Sequence, residues 1–240
     1  MEELIYQESY TLQTTDLNMH KKLRPTRLLE LVQLVSGHHA EALGWGDALL
    51  VPRHLAWVVV RQKIEINRMP GQGESLAFTT WPGREMHGLC PRYMEICTAD
   101  GESLIRLCFL WVIMDLEKRL MIQPSSIGLK MPAAERAPLM PLPRLPRQLL
   151  EPLRREVFTV PYGFVDILGH MNNTRYLEMA ENMIEAPCQG KELREVLIEF
   201  THEIRLGESI IVSIGRDGDV YHIKGRKGEQ DIITLCLRYA

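Results

Sequence analysis

The chain has 240 residues, of which 45% are hydrophobic and 25% charged, and its formal net charge is −3. This length suits one large domain or two small ones, and the composition is that of an ordinary globular protein. A charge so close to neutral, without a basic block, argues against a nucleic-acid-binding protein. The longest apolar run, residues 55–60, is far too short to span a bilayer.

The first half reads as a strand, a long helix and an antiparallel meander. We expect a strand at residues 5–12, then a helix that begins at Pro25 and ends near Leu43, because Gly44 follows. Strands are predicted at residues 55–67, 76–81, 89–98 and 104–114, the last two joined through Asp100–Gly101. The predicted buried positions of the helix are Leu28, Leu31, Val32, Val35 and Ala42. Those of the first meander strand are Ala56, Val58, Val60, Ile64 and Ile66.

A proline-rich stretch separates the two halves of the chain. Residues 131–152 hold six prolines, and such a segment stays extended between packed units. We therefore expect an N-terminal domain over residues 1–130, a linker over residues 131–152 and a C-terminal domain over residues 153–240.

The second half repeats the order of the first. Strands are predicted at residues 156–160, 196–205, 209–215, 220–227 and 232–239, with a turn and a helix after the first. The helix is expected to start at an N-cap, Asn172 or Asn173, and to stop at Pro187. Asp16-x-x-x-His20 matches Asp166-x-x-x-His170 in the same relative place, which indicates an internal duplication.

The turn of the second half concentrates polar chemistry. Asp166, Gly169, His170, Asn172 and Asn173 lie within eight residues, directly before the predicted helix. The start of a helix presents free N–H groups and the positive end of the helix dipole, both of which suit an oxyanion. We therefore place the chemistry of the protein at this turn.

This motif, Asp166-x-x-Gly169-His170-x-Asn172-Asn173, resembles that of the hotdog thioesterases. Written twice in one chain, the pattern is most similar to the acyl-acyl carrier protein thioesterases of the FatA/FatB type and their bacterial relatives. The resemblance implies an α+β fold, a tandem (double) hotdog in which a long helix is wrapped by an antiparallel β-sheet in each half. It also implies hydrolysis of fatty acyl-acyl carrier protein, with the catalytic groups in the second half.

Within the resemblance, Asp166, His170 and Glu203 match the family's acid, histidine and downstream glutamate. We expect Glu203 to be the general base and His170 to position the water or the substrate. Asp166 would hold His170 in one tautomer or polarise the site. From the residues alone, Glu203 could equally be an ordinary glutamate on a strand face, and Asp166 could cap a turn.

Three further residues are predicted to contact the substrate: Asn172, Asn173 and Leu168. Leu168 departs from the family, which usually has an asparagine at this position. Loss of one donor to an oxyanion lowers rates by roughly a hundred- to a thousandfold. Backbone N–H groups at the helix start, or Asn172, could compensate.

The sequence thus predicts an acyl-acyl carrier protein thioesterase. An acyl-CoA thioesterase on the same fold and a non-catalytic acyl-binding hotdog protein are the alternatives. No cofactor is expected. No metal is expected either, because His38 and His39 are adjacent on a helix and point in different directions. The tryptophans of the first half are expected in the core or along an acyl site: Trp45, Trp57, Trp81 and Trp111.

The expected partner is acyl carrier protein, with no nucleic acid and no membrane. Four arginines could form a basic docking patch or simply be solvated: Arg144, Arg147, Arg154 and Arg155. Five cysteines without a C-x-x-C pair favour reduced thiols, and the first residues lack a signal-peptide pattern. We therefore expect a cytoplasmic protein, as a monomer or a homodimer.

Overall fold

The computed structural model describes residues 4–146 and 148–240, so Arg147 of the predicted basic patch lies outside the described residues. Within these residues there are three α-helices: α1 (Pro25–Ala42), α2 (Asp47–Leu50) and α3 (Arg175–Asn182). The first-half strands are β1 (Tyr6–Thr11), β2 (Leu55–Ile66), β3 (Ser75–Pro82), β4 (Cys90–Thr98), β5 (Ser103–Asp115) and β6 (Leu120–Ile122). The second-half strands are β7 (Arg154–Thr159), β8 (Leu193–Phe200), β9 (Ser209–Asp217), β10 (Val220–Lys227) and β11 (Gln230–Tyr239).

The strands form one antiparallel sheet that continues across both halves. Its order is β1-β3-β4-β5-β2-β8-β11-β10-β9-β7, with β6 added on β5. The halves join where β2 pairs with β8, and Arg61 lies opposite Glu199 in this register. The α+β double hotdog predicted from the sequence is confirmed, although only α1 is a long helix.

The two helices of the double hotdog lie on the same core. Leu28 and Val32 of α1, and Leu177 and Ala180 of α3, belong to one buried apolar cluster that includes strands from both halves. An ion pair between Arg175 and Glu30 also joins the helices, at 3.1 Å. Apolar faces of helices and sheet are thus removed from water together, which is the main favourable term in folding.

The predicted limits of α1 are confirmed. Pro25 occupies the first helical position, where its missing N–H has no intrahelical partner to lose. At the other end, Gly44 adopts φ +71°, a left-handed conformation that glycine accepts without strain, and Trp45 N bonds to Ala40 O. One buried position was predicted wrongly, since Ala42 is exposed in the last turn.

The predicted alternation of β2 is wrong in its first half. Val59, rather than Val58 and Val60, is buried there, whereas Ile64 and Ile66 are buried as predicted. The reason is a β-bulge, because Val59 pairs with Trp111 while Arg61 already pairs with the next residue, Leu110. A bulge inserts one extra residue and exchanges the faces of the strand.

Two element ends in the second half also differ from prediction. Helix α3 stops at Asn182 and not at Pro187. At this end Met183 N bonds to Ala180 O, three residues back, which tightens the last turn. Strand β8 stops at Phe200 and not at residue 205, because both Thr201 N and His202 N bond to Ile232 O and the chain then leaves the sheet. This early exit carries Glu203 out of the sheet.

The described residues of the predicted linker contain no helix or strand, and they pack on the sheet. Met140 is buried against Trp81 and Tyr93, and the Arg136 guanidinium lies 4.0 Å from the centroid of the Trp81 ring. The first part of the segment is thus held on the first half, whereas Leu150 N near its end donates to His222 Nδ1 of β10 at 2.7 Å. The domain boundaries themselves stay a prediction. Over the described residues, no helix is long and apolar enough to cross a bilayer.

A buried carboxyl on α3 makes the stability of the fold depend on pH. Tyr239 donates a hydrogen bond to Glu181 Oε1 at 3.0 Å. Burial, helped by the charge of Glu178, raises the pKa of Glu181 from 4.5 to about 7, although the Tyr239 hydrogen bond lowers it. The folded state therefore binds this proton more tightly than the unfolded chain. Its contribution to stability is complete below pH 4.5 and is lost as the pH rises through 7.

We expect Glu181→Gln to remove this loss, because the amide cannot ionise. The free energy of unfolding of the variant should fall less between pH 5 and pH 8, by up to about 3 kcal/mol. Urea unfolding at both pH values measures the difference, with the exposed Glu229→Gln as control. Equal pH slopes for wild type and Glu181→Gln would contradict the prediction.

Candidate active site

The motif turn, residues 163–174, is folded by its own hydrogen bonds. Asp166 Oδ1 accepts from Leu168 N at 2.9 Å, and Asp166 N donates to His170 O at 3.0 Å. Gly169 adopts φ +78°, which lets the chain reverse between these two bonds. The Asp166 carboxylate therefore closes the turn. Among the described residues, the carboxylate accepts no hydrogen bond from the His170 imidazole.

The segment that follows β8, residues 201–205, is paired with the motif turn. Met171 N donates to Ile204 O at 2.8 Å, and His170 forms an isolated antiparallel bridge with Arg205. Glu203 lies between the anchored ends of this segment. Two predicted residues that are distant in sequence are thereby held side by side.

The imidazole and the carboxylate are in direct contact. His170 Nε2 lies 3.0 Å from Glu203 Oε1. The His170 side chain is 15% exposed and that of Glu203 39%, so the pair borders solvent with the imidazole on the enclosed side. A histidine oriented by a carboxylate is a common arrangement for moving a proton.

Two arginines also hold the Glu203 carboxylate. Arg119 Nη1 donates to Oε2 at 2.7 Å, and Arg205 Nη2 lies 3.5 Å from Oε1. Arg119 comes from the β5–β6 connection, so the first half contributes to the site. A carboxylate has about four lone-pair positions, and the three contacts therefore leave room for a water molecule.

Tyr176 lies beneath this cluster in the first turn of α3. It is buried, and its ring meets Phe200 edge-on at 5.6 Å. Burial, then the charges of Glu203 and Asp166, raise the pKa of the Tyr176 hydroxyl. The group therefore stays protonated and is a neutral donor near two carboxylates.

The two asparagines build the entrance to α3. Asn172 Oδ1 accepts from Thr174 N at 3.0 Å and from Thr174 Oγ1 at 2.8 Å, so Thr174 takes the N-cap position that was predicted for an asparagine. Asn173 Oδ1 accepts from Gln33 Nε2 of α1 at 2.8 Å. Neither Nδ2 group has an acceptor within the described part of the chain, and both are donors that a ligand can use.

Leu168 lies at the tip of the motif turn with 46% of its surface exposed. Its neighbour Ile167 is fully exposed, and Tyr162 just before the turn is also largely exposed. The tip is therefore apolar and open to solvent.

The corresponding turn of the first half is structural. Asp16 is buried and accepts from Arg27 Nε at 2.8 Å and from Gln13 N at 2.7 Å. Burial alone would raise the pKa of Asp16, but the hydrogen bonds from Gln13 and Arg27 lower it. Asn18 Oδ1 closes its own turn, and His20 Nε2 lies 2.9 Å from Pro187 O. Among the residues that the structure describes, the duplicated motif therefore shows no pair like that of His170 and Glu203.

A cavity of about 410 Å³ opens in the first half, between the second half of α1 and the sheet. Its walls include three of the four tryptophans: Trp45, Trp57 and Trp111. Gln33 also lines the cavity, and its hydrogen bond to Asn173 connects this wall to the motif turn. One polar contact thus joins the cavity wall to the motif turn that carries His170.

Sequence reasoning missed the arginines of the site and the position of Tyr176. The contact between Arg119 and Glu203 joins residues 84 apart, and no local pattern indicates it. Tyr176 is buried in the first turn of α3, and its proximity to the two carboxylates depends on the fold. Among the described residues, no group of three or more His, Cys, Asp or Glu side chains could hold a metal ion.

Two family models match the chain. The acyl-ACP thioesterase N-terminal domain matches residues 3–125, and the acyl-ACP thioesterase C-terminal domain matches residues 149–234. Among curated proteins, the chain is 23% identical over 224 residues to the chloroplastic acyl-[acyl-carrier-protein] hydrolase FATB3 of Cuphea viscosissima. That match covers 87% of this chain and 54% of the relative, so the chain spans about half the length of the curated relatives it matches.

Solved structures show the same fold. A crystal structure of an acyl-ACP thioesterase from Bacteroides thetaiotaomicron superimposes with a TM-score of 0.84 at 20% identity, covering 98% of each chain. The 12:0-ACP thioesterase from Umbellularia californica superimposes with a TM-score of 0.80 at 16% identity, covering 100% of this chain and 98% of the other. At these identities the likeness concerns the fold.

Proposed function

The chain belongs to the acyl-ACP thioesterase family, and we propose that it hydrolyses fatty acyl-acyl carrier protein to the free fatty acid. The contact between His170 and Glu203 carries the proposal, because thioester hydrolysis needs a water activated near neutral pH. The start of α3 follows directly after the motif turn, and its remaining N–H groups are the proposed donors for the oxyanion. Asp166, His170 and Glu203 are the proposed functional residues, with Asn172, Asn173 and Leu168 toward the substrate.

The proposed reaction begins with a water bound at the free lone pair of Glu203. His170 Nε2–H donates to Oε1, and Arg119 fixes Oε2, so the carboxylate has one orientation. Glu203 accepts a proton from the water as its oxygen attacks the thioester carbonyl. Asp166 acts indirectly, since its bond to Leu168 N shapes the turn that carries His170.

The tetrahedral oxyanion would then be stabilised by N–H groups of the first turn of α3 and by the Nδ2 group of Asn172 or Asn173. Collapse of this intermediate breaks the carbon–sulfur bond. The phosphopantetheine thiolate leaves and takes the proton from the Glu203 carboxyl, which restores the site. The products are a fatty acid and the carrier-protein thiol.

The proposal is tested by thiol release from dodecanoyl and palmitoyl thioesters, each presented on acyl carrier protein and on CoA. We expect turnover with a preference for the carrier protein. Faster turnover of the CoA thioesters would show that the protein is an acyl-CoA thioesterase and would refute the proposed preference for the carrier protein. Acyl binding without thiol release, even at high protein concentration, would indicate a non-catalytic acyl-binding protein.

We expect Leu168→Asn to raise turnover by about tenfold or more. The new side chain would add a polar group at the position where the family usually has asparagine, and the backbone bond from residue 168 to Asp166 is unchanged. The measurement is kcat on dodecanoyl-acyl carrier protein, with Ile167→Asn as control for an exposed neighbour. No gain would show that another donor already fills this role.

Carrier-protein docking, the absence of nucleic-acid and membrane partners, the oligomeric state and the cytoplasmic location stay predictions. Arg144, Arg154 and Arg155 of the predicted basic patch are exposed, which suits contact with an acidic carrier protein. Size-exclusion chromatography coupled to light scattering distinguishes a monomer from a homodimer.

A further inference from the structure

The cavity of the first half contains a buried cation. Arg92 of β4 is only 8% exposed and lines the inner wall. Its Nη1 donates to His39 Nδ1 at 2.8 Å and to Thr80 Oγ1 at 3.3 Å. Burial lowers the pKa of Arg92 to about 10, so the guanidinium is charged at neutral pH.

No carboxylate within the described residues forms an ion pair with Arg92. A guanidinium has five N–H donors, and the two hydrogen bonds use only Nη1. Nε and Nη2 have no acceptor in the described part of the chain. Buried charges in proteins are normally paired, because removing an ion from water is unfavourable. The arrangement therefore fits a site for an anion.

Two further polar atoms of the cavity wall lack partners. Ser36 Oγ and Trp111 Nε1 are buried and make no hydrogen bond among the described residues, and both residues line the cavity. Buried polar atoms without partners are rare and call for an explanation. Together with Nε and Nη2 of Arg92, they give the cavity wall hydrogen-bond donors on three residues that have no acceptor among the described residues.

The remaining wall is largely apolar. Trp45, Trp57 and Pro82 face the cavity, whose volume of about 410 Å³ falls within the range of small-molecule sites. The acidic residues at the rim, Glu41 and Asp47, are exposed, and neither pairs with Arg92. Such a cavity suits a ligand with an aliphatic body and one buried anionic end.

We propose that this cavity binds an aliphatic carboxylate, with the carboxylate on Arg92 and the chain along the tryptophans. The carboxylate has two sources: the far end of an acyl chain whose thioester lies at the motif turn, or a free fatty acid such as the released product. The proposal deepens the proposed function. Binding of the far end of a thioester-bound acyl chain rests on that function, whereas binding of a free fatty acid can be tested independently of it.

Binding is measured through tryptophan fluorescence, since three tryptophans line the cavity. The probes are dodecanoate and 1-dodecanol at pH 7.5, both below their aggregation limits. We expect wild type to bind dodecanoate about tenfold or more tightly than the alcohol, because charge-assisted hydrogen bonds are the stronger ones. Arg92→Met should remove this preference and keep dodecanol binding, whereas Arg238→Met, an exposed arginine on β11, should change neither.

Equal affinity of wild type for dodecanoate and dodecanol would overturn the proposal, even where Arg92→Met fails to fold. Thioester hydrolysis distinguishes the two sources. A higher kcat/KM for the mono-thioester of dodecanedioic acid than for dodecanoyl-acyl carrier protein assigns the carboxylate to the substrate. Competitive inhibition by dodecanoate that Arg92→Met relieves assigns it to the free acid. Absence of all thiol release would refute the proposed function and leave the binding result to decide this inference.

Discussion

Glu203→Gln is expected to lower kcat for acyl-carrier protein hydrolysis by about a hundred- to ten-thousandfold, the usual contribution of a general base. The amide keeps the size of the side chain but cannot accept the proton of the attacking water. Arg119 loses a charged partner, yet that pair is nearly half exposed, so its removal should change stability little. Stopped-flow or steady-state thiol release measures the effect, beside thermal unfolding of the same sample.

Glu195→Gln is the matched control for this experiment. Glu195 is also partly exposed and contacts an arginine, Arg238, at 3.4 Å, but it lies on β8 away from the motif turn. Its kcat should equal that of wild type. A Glu203→Gln enzyme with full activity would remove Glu203 from the mechanism and leave His170 Nδ1 as the base.

His170→Asn is expected to reduce kcat by a similar hundred- to ten-thousandfold. Asparagine can still donate a hydrogen bond, but its shorter side chain does not reach Glu203 Oε1 as the imidazole does. The Glu203 carboxylate would then be held only by Arg119 and Arg205, without the contact at 3.0 Å that orients it toward the water. The measurement is kcat and KM over a range of acyl-carrier protein concentrations.

His202→Asn serves as its control. His202 is exposed, lies on the same segment as Glu203, and places Nδ1 2.7 Å from Asp231 O. Its replacement should leave kcat within about twofold of wild type, since surface changes seldom affect folding. A loss in His202→Asn as large as in His170→Asn would indicate that the segment, and not the imidazole, governs the rate.

The sequence predicted the elements of the fold well and the contacts of the site less well. Periodicity identified α1 and the strands, because a helix or strand with one buried face repeats its apolar residues at a fixed spacing. Turn chemistry identified the motif turn through Gly169 and Asp166. The duplication appeared as short matches in the same order, and the continuous sheet across β2 and β8 is consistent with it.

The misplaced features have two causes. The bulge in β2 and the early end of β8 arise from pairing with β5 and β11, and their own residues carry no sign of either. Asp166 was expected to contact His170, but its carboxylate instead accepts a hydrogen bond from Leu168 N, two residues along the chain, and this bond closes the turn. Local hydrogen bonds of aspartate compete with longer-range ones.

The sequence by itself determined a duplicated pattern of helix and antiparallel meander, its proline-rich connection and the turn where Asp166 and His170 lie, since these follow from periodicity and turn residues close along the chain. The double hotdog followed from the resemblance of the motif to the thioesterase family. Only the tertiary structure decided that Glu203 contacts His170, that Arg119 crosses from the first half to hold it, and that Arg92 is buried with no carboxylate of the described residues paired to it. Each of these contacts joins segments far apart in sequence, and their distance and burial depend on how the whole sheet packs around α1 and α3.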